Sequence, residues 1–205
     1  MPTRMTLTLA WVVLLAAPAA AQNQPEGTRV TVRGTVEKFA GDDLSVKTRE
    51  GPVVAISLAD NFRVRGVAKR SLSDIKPGDY VASASVKGTD GLLHAVEVHI
   101  FPEALRKVVK AEQRPSDLVS GGLMTNATVT GITDAPHGHV LKVTYDGGSA
   151  EVVVGPDTPI VTYVPGDPSL LRQGAAVSVP ARKMPDGTLT AATVTAEKDG
   201  VKPPM

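Results

Sequence analysis

The chain contains no cysteine, and its aromatic residues are only three Phe, three Tyr and one Trp in 205 residues. Without Cys there can be no disulfide framework, thiolate metal site or cysteine nucleophile. The single Trp, Trp11, lies in the N-terminal apolar stretch, so the cores must be built from Val, Ile, Leu and Ala. Neither sign of charge prevails: 22 basic and 21 acidic side chains give a formal net charge of +1. Nucleic-acid binding requires a clustered basic face, which this balance does not supply. After residue 21, no run approaches the ~20 apolar residues that cross a bilayer as a helix. Enzyme signatures are also missing: there is no Gly-x-Ser-x-Gly elbow, phosphate loop or His-Glu-x-x-His pair. The reading is therefore non-enzymatic.

Residues 1–21 have the order of an export signal. Arg4 gives the positive start, Leu7 to Leu15 an apolar run, and Ala19-Ala20-Ala21 a small-residue cleavage site before Gln22. A periplasmic or secreted location follows as an expectation, with residues 22–27 and 198–205 as disordered tails.

What is present is an internal duplication. The stretch Ser71-Leu72-Ser73-Asp74-Ile75-Lys76-Pro77-Gly78-Asp79-Tyr80-Val81, with the Asp90-Gly91-Leu92-Leu93 segment after it, returns 96 positions later without a gap. Ser73 falls on Ser169, Gly78 on Gly174, Val81 on Val177, Leu93 on Leu189 and Val98 on Val194. A fixed-offset match of this length marks a repeated structural unit.

Within each unit the apolar period is two. Val30, Val32, Gly34 and Val36 share one face of a first strand, with Thr31, Arg33 and Thr35 on the other. Gly41-Asp42-Asp43 and Glu50-Gly51-Pro52 are turn signals around a second strand. Val53 to Leu58 reads as a third strand, followed by an extended or edge segment through Phe62, Val64 and Val67. Ser71 to Ile75 reads as one helical turn with a serine cap, and Tyr80 to Phe101 as a hairpin. Strand, strand, strand, short helix, strand, strand is the element order of a five-stranded Greek-key barrel of the OB type; an open meander or small sandwich is the competing arrangement. Glu103 to Gln113 carries a helical stripe of Leu105, Val108 and Val109. The expected fold is thus mainly β: two tandem OB-like barrels, residues 28–101 and 125–197, joined by one helix within a linker over 102–124.

The Gly-Thr-Val first strand, the Ser-Leu-Ser-Asp-Ile-Lys-Pro-Gly-Asp-Tyr-Val turn and the Asp-Gly-Leu-Leu-His-Ala hairpin resemble an uncharacterised family of exported bacterial domains. The resemblance implies OB-like barrels in tandem and export, and it brings no catalytic residues. It is specific in the first copy and weaker in the second, where Leu171-Arg172-Gln173-Gly174 replaces the Ile-Lys-Pro-Gly turn.

Two clusters carry chemistry. His137 and His139 flank a glycine, an arrangement that lets two imidazoles share a metal in extended chain, while Glu97 and His99 share a strand face near His94. With no thiols, such a set suits Cu(II), Ni(II) or Zn(II), making a divalent transition metal the candidate cofactor and metal homeostasis the alternative function. The second cluster is basic: Arg63, Arg65, Lys69 and Arg70, with Arg106, Lys107, Lys110 and Arg114 beyond. It forms a candidate anion or partner surface for an envelope protein or polymer. The leading expectation is a binding or scaffolding protein that uses barrel surfaces and the cleft between them.

Overall fold

The computed structural model describes residues 27–136 and 138–203. The expected signal peptide, residues 22–26 of the expected N-terminal tail, and His137 lie outside the described residues.

The chain is mainly β. The first unit supplies β1 (Thr28–Ala40), β2 (Asp43–Thr48), β3 (Val53–Arg70), β4 (Tyr80–Lys87) and β5 (Leu93–Ile100). A connecting segment holds α1 (Glu103–Arg106) and β6 (Glu112–Pro115). The second unit supplies β7 (Leu123–Ala135), β8 (Gly138–Tyr145), β9 (Gly148–Val154), β10 (Ile160–Pro165), β11 (Ala176–Lys183) and β12 (Leu189–Ala196).

The duplication is visible element by element. The 3-10 turns Leu72–Asp74 and Pro168–Leu170, the strands β4 and β11, and the strands β5 and β12 coincide at the 96-residue offset. Gly78 and Gly174 both take a left-handed backbone, with φ of 95° and 83°, a region side chains disfavour. Each makes the same bond: Gly78 N–H donates to the Val129 carbonyl and Gly174 N–H to the Val36 carbonyl, both at 2.8 Å.

Those two bonds already show that each turn joins the other repeat. β1 pairs with β2 and β2 with β3, but the strands that close this barrel are β11 and β12: β11 pairs with β1, β12 with β3, and β11 with β12. The second circuit is β7, β8 and β9 closed by β4 and β5. Each five-strand barrel therefore takes three strands from one repeat and a hairpin from the other. The expected division into a barrel over 28–101 and another over 125–197 is corrected accordingly, because neither repeat closes on itself.

The cause lies in β3 and β10. They pair antiparallel with Val67 opposite Tyr163. These residues occupy equivalent positions in the two repeats, so a local two-fold axis passes through the pair. Each strand crosses this axis and delivers the chain after it to the opposite barrel. β3 does so as one 18-residue strand. Its counterpart breaks at Gly155–Pro159, where Pro156 and Pro159 lack the N–H a ladder requires.

Each barrel has its own interior. One packs Val36, Leu44, Val46 and Ile56 with Val177, Val179 and Val194. The other packs Val129, Leu141, Val152 and Val154 with Val81 and Val98. The inward faces follow the period-two reading, as Val32 and Val36 do on β1.

Two further expectations change. The helix expected over Glu103–Gln113 is a single turn, because Glu112–Pro115 pairs with β7 as a strand. A β-ladder on an available edge outweighs the weak helix preference of Val108 and Val109. The C-terminal residues also pack: Lys198 and Val201 form a β-bridge turn, and Pro203 is buried.

The exchange is open to test by truncation. A fragment of residues 22–102 lacks the hairpin that closes its barrel, so it is expected to show no cooperative melt as a monomer in circular dichroism and size-exclusion chromatography. A monomeric, cooperatively melting fragment contradicts the exchange. Gly34→Ala is expected to cost about 1–3 kcal/mol in denaturant unfolding, because the added methyl would run into the Lys47 carbonyl oxygen.

Candidate functional site

Period-two alternation gives every barrel strand an outer face, and strand exchange turns some of these faces toward each other. A cavity of about 320 Å³ lies between them, at the small end of ligand pockets, which run roughly 300–1,000 Å³. The first barrel contributes Thr31 and Arg33 from β1, Arg65 from β3, Ser178 and Pro180 from β11, and Thr195 from β12. The second contributes Ala82 and Ala84 from β4, Glu97, His99 and Phe101 from the β5 region, and Met124 and Asn126 from β7. Tyr163 of β10 stands at the axis, and the connecting segment adds Arg114 and Asp117. A larger open groove adjoins the cavity and shares Thr31, Arg114 and Asp117 with it.

The polar groups are held in place. The Arg65 guanidinium lies 3.7 Å from the centroid of the Tyr163 ring, a cation–π contact. Its Nε donates to Thr195 Oγ1 at 2.8 Å. No described residue accepts a hydrogen bond from its two terminal nitrogens. Tyr163 also packs against His99, with ring centroids 5.1 Å apart, and against Phe101 at 5.9 Å. Burial pushes the Tyr163 phenol above its ordinary pKa; the Arg65 guanidinium opposes this and the Glu97 carboxylate adds to it. His99 Nε2 bonds the Glu97 carboxylate, and both side chains are almost wholly buried. Arg33 is fixed by Asp117 at 3.3 Å.

Two polar atoms of cavity-lining residues are sealed from solvent without a partner: Arg33 Nε and His99 Nδ1. An unmade hydrogen bond at a buried polar atom costs about 1–3 kcal/mol. Such orphans are points of local cost that a water, an ion or a small rearrangement would relieve.

The structure divides the candidate residues. Glu97, His99 and Arg65 come together in the cavity. His94 instead pairs with Asp90 at 2.9 Å, and His139 with Asp134 at 2.9 Å. Among the described residues, no group of three or more His, Asp or Glu is placed to hold a metal ion. Arg63, Lys69 and Arg70 are exposed along β3, and Lys107 is exposed after α1. Lys110 pairs with Glu112 at 3.3 Å. Arg106 is structural: it bonds Glu103 at 3.0 Å, donates to the Gly78 carbonyl and lies over Tyr80. Of the candidate basic residues, Arg65 and Arg114 reach the cavity.

Arg33, Asp117, Tyr163 and Thr195 are the residues that sequence reasoning missed. Thr31 and Arg33 were legible as an outer face, but an outer face facing solvent and one facing a second barrel have the same period.

Compared with known proteins, the chain matches no family model, no curated protein and no solved structure.

Asp117 provides a pH test. Burial raises its pKa, but hydrogen bonding to Thr31 and the Arg33 guanidinium outweigh burial and hold it below its ordinary value. A carboxyl more acidic in the folded than in the unfolded state stabilises above the unfolded pKa and loses that contribution as pH falls. The native chain is therefore expected to lose stability from about pH 4 downward more steeply than Asp117→Asn, measured as urea midpoints across an acid series. Parallel acid limbs contradict this role for Asp117.

Proposed function

We propose that the chain is an exported, non-enzymatic binding protein built of two OB-like barrels, and that its ligand site is the cavity between them, which takes a small organic anion. The observation that carries the reading is the Arg65 guanidinium in a cavity of about 320 Å³, stacked on Tyr163 and held through Nε by Thr195.

Charge supports the anion. The cavity holds three guanidinium groups, Arg33, Arg65 and Arg114, against the carboxylates of Glu97 and Asp117. Arg114 shares Glu112, outside the cavity, with Lys110, so an excess of one positive charge remains even when these are included. Arg65 supports it further, because stacking and the Thr195 bond fix its planar fork before a ligand arrives. A pre-organised fork is the donor geometry that suits a carboxylate or phosphate.

A thermal-shift and calorimetric panel of carboxylates, phosphates and sulfonates against neutral and cationic compounds tests the reading. Anions are expected to stabilise the protein, with Arg65→Met weakening them at least tenfold and Arg70→Met leaving them unchanged. Anions that bind equally well to Arg65→Met would move the site elsewhere. Titration with copper, nickel and zinc addresses the metal alternative: stoichiometric binding abolished by His99→Ala would replace the anion with a metal.

A further inference from the structure

The hairpins that close the two barrels correspond at the 96-residue offset, so Ser178 and Pro180 of β11 match Ala82 and Ala84 of β4. Their partners across the ladders match in turn: Arg33 with Asn126, Thr31 with Met124 and Val30 with Leu123. On the side away from the hairpin the two strands differ. β6 pairs with β7 there, Glu112 opposite Asn126 and Arg114 opposite Met124. On β1 the pairing with β2 reaches only to Gly34, opposite Thr48. The Arg33 carbonyl still accepts from the Arg49 N–H at 3.2 Å. Past that bond, no described strand pairs with Arg29, Val30, Thr31 or Val32 on this side.

β1 runs along β11 from Thr28 to Thr35 without a bulge, so successive residues turn their backbone groups to opposite sides. Arg33 faces the open side, as its bond to Arg49 shows, and Thr31 and Arg29 face it too. An edge of unpaired N–H and C=O groups is a template for another strand. We propose that this edge takes one antiparallel strand of an acidic partner peptide, in the place that β6 takes on β7. The surface is separate from the cavity ligand and does not depend on it.

Charge selects the occupant. Arg29 lies directly opposite Arg182, and both line the open groove. Neither forms an ion pair among the described residues; Arg182 reaches only the Gly27 carbonyl, at 3.5 Å. Like charges placed opposite each other weaken a ladder, and a carboxylate facing Arg29 relieves both. Arg33 is already met by Asp117. The same charges disfavour a second copy: two β1 edges paired about Thr31 set Arg29 against the partner's Arg33. Val32 is buried and Val30 packs against the barrel interior, so the residues opposite them are apolar. The fitting strand alternates, with apolar residues opposite Val32 and Val30 and an acid opposite Arg29.

The probe is the end-capped peptide Gly-Thr-Val-Thr-Val-Glu-Gly, titrated into the intact mature protein and followed by amide NMR with hydrogen exchange. It is expected to slow exchange at the Thr31 and Arg33 amides and to leave those of Val30 and Val32, which face β11, unchanged. N-methylation of its central threonine is expected to abolish binding. Lysine in place of its glutamate is expected to weaken binding about tenfold, and Arg29→Glu to restore the lysine peptide while weakening the original. Binding of the N-methylated peptide at full strength, or no added protection at Thr31 and Arg33, overturns the edge site. Indifference to the glutamate-to-lysine change overturns the acidic partner. Protection of these amides without peptide, rising with protein concentration, gives the edge to a second copy and overturns the proposal.

Discussion

The antiparallel crossing of β3 and β10 at Val67 and Tyr163 is the constraint on which the architecture depends. Because the paired residues are equivalent positions of a duplicated unit, the crossing is a local two-fold axis, and the chain leaving one strand must mirror the chain leaving the other. The hairpin after β3 therefore enters the second barrel and the hairpin after β10 enters the first. The two barrels share covalent and hydrogen-bonded structure, and neither core is complete without the other repeat. β12 lies parallel to β3, with Val194 opposite Val64, and β5 lies parallel to β10, with Val98 opposite Ile160. These are equivalent contacts on the two sides of the axis.

The same crossing makes the cavity. Outer strand faces usually meet water, but exchange brings those of β1, β11 and β12 opposite those of β4, β5 and β7. Small residues at Ala82, Ala84 and Ser178 leave room there, while Arg65 and Tyr163 reach into the space from the crossing strands. The site thus sits on the most constrained part of the fold. Its polar groups are held by stacking and short-range bonds, so the proposed ligand would meet a largely formed arrangement at a low ordering cost.

The interiors, the hairpins and the turn glycines were legible in the sequence because each depends on local rules. Val32 and Val36 announce their face by alternation, Gly78 and Gly174 mark turns, and the 96-residue repeat fixes which elements correspond. The partner of each strand was not legible. A hairpin with the right inward valines closes either barrel equally well, and only the passage of β3 across the axis decides between them. The helix over Glu103–Gln113 failed for a related reason: an edge of β7 was open to pair with Glu112–Pro115, and of the apolar stripe Val108 is left 76 % exposed. Of the site, Glu97, His99 and Arg65 were read as candidates, but from separate clusters. Arg33, Asp117 and Tyr163 carried no local signal, since their role exists only where the two barrels meet.

Strand exchange can be tested most directly by engineered disulfides, for which the cysteine-free chain is a clean background. Arg29 on β1 lies directly opposite Arg182 on β11, whereas a self-closed first repeat would place Val86, the equivalent of Arg182, in that position. The account predicts that Arg29→Cys with Arg182→Cys oxidises to an intramolecular cross-link in the folded monomer, and that Arg29→Cys with Val86→Cys does not. Efficient cross-linking of the second pair and none of the first would contradict it.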